Sequence, residues 1–277
     1  MSTYKEEMLR TVIKRKGLLR PPKRLARPIP PYVVERAYMS DLLKINERLK
    51  TIVREDFFPR LSHYVAHNPN ARGDSWQDDL YDDAYEISVK FYKEFPDKDL
   101  KAMARRAGIS VDRLSAHNLN NQIGKVIGID LFGNEPWVEE ELSLFALNNV
   151  QLIKTIPQRF FNDLANEVYE GFKDGDRWET IAESIGERFG VMDWNAERIA
   201  RDQVGKFNSA LNTRRQEEVG VEEYWWRGVG DERERDTHVA NNDHKFRWDD
   251  PPPDTGAPGE DILCRCYAEP DLDKFFE

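Results

Sequence analysis

Tyr224-Trp225-Trp226-Arg227-Gly228-Val229 is where the grammar of the chain changes. The stretch is short and aromatic, and two more short runs follow it, 245–248 and 262–268, in which apolar and polar residues alternate as in half-buried strands. Upstream the apolar residues recur every three to four positions, the spacing of one helix face. Tyr38, Leu42, Ile45, Leu49 and Ile52 predict an amphipathic helix over 33–66 that Pro59 breaks or kinks. A turn cluster at 67–74 and helices over 76–95, 97–107 (closed by Gly108) and 111–124 come next. Thr155-Ile156-Pro157-Gln158 has the form of a capping box with proline in the first turn, so a helix is expected to start there and to end near Gly175. Two more are expected, one stopped at Gly190 and one capped by Asp193 and stopped at Gly220. The fold class is therefore mainly α: a helical body carrying a small, irregular, β-containing C-terminal unit (α+β). The expected division is 1–32 as a basic, proline-rich arm or linker, 33–138 as an N-terminal helical region, and 139–277 as a second region. Within the last, 139–220 is helical and 221–270 holds the β-containing unit.

Charge separates the arm from the rest. The chain has 277 residues and a net charge of −10, but residues 1–36 carry ten Lys and Arg against three Glu. They are thus +7, and the remaining 241 residues are −17. Lys14, Arg15, Lys16, Arg20, Lys23, Arg24 and Arg27 are the candidate contacts to nucleic acid or an acidic protein. An acidic body cannot itself be a general DNA-binding surface, because phosphate repulsion opposes it. Five prolines lie within 21–31, which predicts an extended linker there. No stretch has the roughly 18 consecutive apolar residues of a membrane helix, and the N-terminal sequence lacks the form of a secretory signal. A membrane partner and export are therefore not expected.

Residues 222–270 hold the unusual chemistry. Cys264 and Cys266 are the chain's two cysteines, and a disulfide across one residue is strained, so a disulfide scaffold is excluded and a reducing compartment expected. The Asp250-Pro251-Pro252-Pro253 to Pro258-Gly259 stretch has little capacity for regular hydrogen bonding, so side chains must hold it. One candidate is aromatic packing by Trp225, Trp226, Phe246, Trp248 and Tyr267. The other is a structural zinc joining His238, and His244 as a further ligand, to Cys264 and Cys266. The plain alternative is two inward thiols with His238 bonded to a carboxylate.

These residues also carry a resemblance. Arg233-Glu234-Arg235-Asp236-Thr237-His238, then Asn242, Phe246-Arg247-Trp248-Asp249-Asp250-Pro251, Pro258-Gly259 and Cys264-Arg265-Cys266 resemble the signature of the phage Mu F-like minor head proteins, in the head morphogenesis family. Upstream, Asn149-Val150-Gln151-Leu152-Ile153-Lys154-Thr155-Ile156-Pro157 and Arg198-Ile199-Ala200-Arg201-Asp202-Gln203 are similar to further stretches of the family, so the likeness spans about 140–270. Asp243 stands where the family usually has Gly, and Gln203 where an acidic residue is common.

The resemblance implies a virion structural protein, made in the host cytoplasm and placed in the capsid interior or at the portal vertex. It implies a part in head assembly, DNA packaging or DNA ejection. Portal and capsid proteins are the implied partners, with scaffold or packaged DNA reached through the basic arm. Arg233, Arg235, Asn242, Asp249, Asp250, Pro251 and Arg265 are the motif positions. No catalytic residue is expected, and with eleven residues after Cys266 no effector domain is expected to follow. The competing readings are a metal-dependent enzyme (zinc hydrolase, nuclease or ADP-ribosylating effector) built on His238, Cys264 and Cys266, and a protein ejected into the host.

Overall fold

The structure is a computed structural model that describes residues 4–61 and 75–277. It is mainly helical, with a small antiparallel sheet near the C-terminal end. The helices are α1 (Tyr4–Lys16), α2 (Tyr32–Ile52), α3 (Ser75–Glu94), α4 (Asp97–Leu119), α5 (Val138–Asp174), α6 (Trp178–Glu218) and the short α7 (Asp236–Asn241). The strands are β1 (Glu223–Arg227), β2 (Lys245–Arg247) and β3 (Tyr267–Pro270). α2 runs into a wide π turn over Val53–Phe57, and α4 into another over Asn120–Gly124. The turn cluster expected at 67–74 lies outside the described residues.

Three expected helix breaks are absent. α4 runs through Gly108, α5 runs through Pro157, and α6 runs through Gly190 and Asp193. The reason is burial on both sides of each break. Along α5 the stripe Leu142, Phe145, Ala146, Val150, Ile153, Ile156, Phe160 is buried without interruption. That offsets the roughly 3 kcal/mol that an interior proline costs. The predicted capping box is therefore mid-helix. On α6, Phe189, Met192 and Ala196 continue one buried face across Gly190. Asp193, expected as a cap, instead accepts from Lys50 at 2.5 Å and from Asn46 at 3.1 Å.

The contacts divide the chain into two compact units that do not follow chain order: residues 1–35, 106–143 and 201–277, and residues 36–105 and 144–200. In the second, Tyr38 is buried and donates to Asn149 Oδ1 at 2.9 Å, and Asn149 donates in turn to the Phe145 carbonyl at 2.9 Å. Phe160 stacks on Phe189 at 5.5 Å between centroids.

The first unit contains the functional candidates. Its core draws Leu9 and Ile13 of α1 together with Leu119, Ile123, Ile127, Phe132, Val219, Leu272 and Phe275. The first part of the basic segment is thus a packed helix, which is a correction to its reading as an arm. The proline-rich part is extended, as expected, but pinned. Asn118 exchanges two 2.9 Å hydrogen bonds with the backbone of Ile29, and Gln122 donates to the Ala26 carbonyl at 3.0 Å. Truncating Leu9 and Ile13 to alanine should cost about 2–5 kcal/mol each, read from denaturation midpoints. A free arm would show no change.

Below this core lies a buried ion pair. Arg215 is fully buried and donates Nε to Glu135 Oε1 at 3.0 Å and Nη2 to Glu135 Oε2 at 3.2 Å. Ser115 and Asp112 take its remaining donors. Burial alone would raise the Glu135 carboxyl, but the Arg215 hydrogen bonds and charge, with the Gly133 amide, hold it below the usual glutamate range. A lowered carboxylate contributes stability that is complete above its unfolded pKa and is lost as pH falls through the folded value. Glu135→Gln should therefore flatten the acid limb of stability against pH, and Arg215→Met should cost about 3–5 kcal/mol by stranding a buried carboxylate.

Candidate functional site

The sheet has the order β2-β1-β3, antiparallel throughout, with Tyr224 opposite Phe246 and Trp226 opposite Ala268. Tyr224 and Trp226 alternate onto the buried face of β1. Tyr224 packs on Trp248 at 4.2 Å between centroids, and Trp226 meets the His238 ring edge-on at 5.4 Å. So the aromatic packing expected at this end exists, and it positions α7 directly against the sheet.

His238, on α7, is 2 % exposed. Its Nε2 lies 2.9 Å from Asp261 Oδ2, and its Nδ1 lies 3.6 Å from Cys264 Sγ and 3.4 Å from Cys266 Sγ. One donor atom from each of the three lies within 4.8 Å of the others. Cys264 and Cys266 fall on one side because they are two residues apart in extended backbone, whereas Arg265 between them pairs with both oxygens of Asp231. Glu234 Oε1 approaches Cys266 Sγ at 3.6 Å, and its Oε2 accepts the Gly230 amide at 2.7 Å. The Cys264 thiol is pushed down to about 6, chiefly because Cys266 hydrogen-bonds its thiolate, against burial and with help from the Cys266 and Gly259 amides and His238. The same bond, with burial, pushes Cys266 up. Two thiols and an imidazole this close can hold a divalent metal such as zinc.

The loop that presents the cysteines is docked on one face of α6. Asp202 Oδ1 accepts the Leu263 amide at 2.9 Å, and Ser209 Oγ donates to the Pro258 carbonyl. Leu263 sits at φ 58, the left-handed region that a side chain rarely adopts, and Asp202 is what holds it there. Gly259 has φ 95, and a Cβ there would stand 2.4 Å from Ser209 Cβ. Arg235 donates to the Ile262 carbonyl at 2.7 Å and lies 3.6 Å from Asp261.

His244 is not in the cluster. It is exposed just before β2, and its carbonyl accepts the Trp226 amide at 2.9 Å. The other motif positions bind the loops together. Asn242 Oδ1 accepts the Gly228 amide at 2.9 Å, and Asp249 pairs with Arg247 at 2.8 Å. Asp250 bridges back to Arg247, Pro251 is half-buried, and Arg233 is exposed with its amide on Asp231 Oδ1. Asp243 has φ 62, which gives the physical reason for glycine at this position; aspartate tolerates it and pairs with Arg227. Asp261, Asp202 and Ser209 went unread as site residues, since a carboxylate or hydroxyl with no fixed spacing to its partner leaves no motif. The period linking Asp202, Gly205 and Ser209 on α6 is the signal that was available.

Lys14, Arg15, Lys16, Arg20, Lys23, Arg24 and Arg27 are all exposed, and among the described residues none has a carboxylate partner. They are held on the first unit, not in the His238 cluster. A cleft between the Pro28–Tyr32 stretch, α6 around Asn208 and Asn212, and Cys264–Tyr267 joins the two regions within that unit. Among the described residues no helix is long and apolar enough to cross a membrane.

Gly259→Ala should destabilise the chain by about 1–3 kcal/mol through the Ser209 clash and the left-handed backbone, read as a lowered melting temperature. Ser209→Gly in the same chain should recover part of the loss, and no recovery would refute the clash.

Comparison with known proteins agrees with the motifs. An uncharacterized protein of Haemophilus influenzae is 36% identical over 159 residues, covering 56% of this chain and 35% of the relative. The chain thus spans about a third of the length of the curated relative it matches. No solved structure matches. The family model described as Phage Mu protein F like protein matches residues 162–269, so the Asn149–Pro157 stretch lies outside it while α7, both cysteines and the sheet up to Glu269 lie within. Over residues 162–269 this chain is accordingly similar to the Phage Mu F-like family.

Proposed function

We propose that the chain is a structural protein of a phage head, acting in head assembly near the portal, with a role in DNA packaging or ejection. The observation that carries this reading is the Mu F-like match over 162–269, which contains the whole motif-bearing loop system. In this reading the portal and capsid proteins are its partners, the virion its location, and binding its work.

The side chains of the domain support a binding role. Arg235, Asn242, Asp249 and Arg265 are each engaged in loop-to-loop bonds or ion pairs. They build a shaped surface. The seven exposed cations are the part of this acidic chain suited to an acidic partner, either packaged DNA or an acidic face of scaffold or portal. Because they lie on a packed helix and a pinned extended segment, they present charge at fixed positions, and contacts to DNA would go to phosphates.

The test is cross-linking mass spectrometry on purified heads. Links from the 14–27 region or from the Mu F-like domain to portal or capsid protein are expected, and absence of the chain from intact heads would overturn the reading. For the DNA contact, replacing the seven cations by glutamine should abolish duplex binding at low salt. The unmodified protein should show a log–log salt slope no steeper than about −6, the value for seven phosphates. Salt-independent binding, or binding that survives the replacement, would contradict phosphate contact.

A further inference from the structure

We propose that His238, Cys264 and Cys266 together hold one zinc ion, which staples α7 to the 258–266 loop. The inference rests on the geometry of these side chains and stands whether or not the head-protein reading holds.

Zinc bound at about 2.3 Å to sulfur and 2.0–2.1 Å to nitrogen in a tetrahedron keeps its ligand atoms about 3.5–3.8 Å apart. Nδ1 lies 3.6 Å from one sulfur and 3.4 Å from the other, and the three donor atoms all lie within 4.8 Å of one another. The two nitrogen–sulfur distances match edges of such a tetrahedron. The imidazole is oriented as a metal-binding histidine is. Nε2 faces Asp261 at 2.9 Å, which fixes the proton on that nitrogen and leaves the Nδ1 lone pair toward the thiols. Asp261 is in turn held by Arg235.

The buried Trp226 indole N–H has no hydrogen-bond partner, and its ring meets His238 edge-on. Glu234 Oε1 lies 3.6 Å from Cys266 Sγ, and its other oxygen accepts the Gly230 amide. Two sulfurs and one nitrogen suit zinc among the common divalent ions.

The test uses the full chain purified without chelator from zinc-supplemented cells. One zinc per chain is expected by elemental analysis. Cobalt substituted for it should show the intense visible bands of a tetrahedral site, with sulfur-to-cobalt charge transfer. Iodoacetamide should alkylate both cysteines only after a strong chelator is added. Substoichiometric zinc, or equal alkylation with and without chelator, would overturn the proposal.

Because Cys264→Ser with Cys266→Ser loosens the loop whether or not a metal is bound, Asp261→Asn serves as the second variant, since it keeps every ligand. It should stay folded and weaken zinc by about 10–100-fold in competition with a chromophoric chelator, and unchanged affinity would count against the site.

Discussion

The division of labour on the His238 ring, with one nitrogen turned to a carboxylate and the other to two thiols, is the constraint on which the C-terminal unit depends. Between β2 and β3 the backbone makes turn bonds and a bond from the Trp248 amide to the Glu222 carbonyl, and its prolines remove donors that a regular element would use. A loop of this kind keeps one conformation only if side chains supply what the backbone does not. The His238 cluster fixes it from one side, and Asp202 and Ser209 of α6 fix it from another. The left-handed Leu263 shows that the anchoring is strong enough to hold an unfavourable backbone immediately before the first cysteine.

The same logic governs the first unit as a whole. Arg215 has no solvent exposure, yet all of its donors are met by Glu135, Ser115 and Asp112, so a charge that would be costly alone becomes a specific junction. The segments it joins are far apart in sequence. α1 and the last described helical turn, Asp273–Phe275, share the same apolar core. The net-positive N-terminal segment is thereby part of a folded unit, so its cations keep fixed spacing.

Fold class was legible because period and turn chemistry are local. The change from helical spacing to alternation at Tyr224 falls where β1 begins, and the mainly α body with a small β unit is what the chain forms. Helix ends were less legible. Gly108, Pro157 and Gly190 are local stop signals of about 1–3 kcal/mol, and burial of Ala146 to Phe160 or Phe189 to Ala196 outweighs them. α1 was hidden for a related reason: its charged residues dominate the composition, while only Leu9 and Ile13 are buried and Met8 and Val12 pack beside them. At the site, His238, Cys264 and Cys266 were readable from residue type, and the structure brings them together. His244, a further ligand on the sequence reading, is placed outside the cluster by β1–β2 pairing, which a spacing cannot encode.

The central claim is that the imidazole and the two thiols act as a local fastener, and hydrogen exchange tests it most directly. In a Cys264→Ser, Cys266→Ser chain the account predicts lost amide protection across 236–241 and 257–266, with the core around Leu119 and Ile123 protected as before. Undiminished protection in those two segments would contradict it.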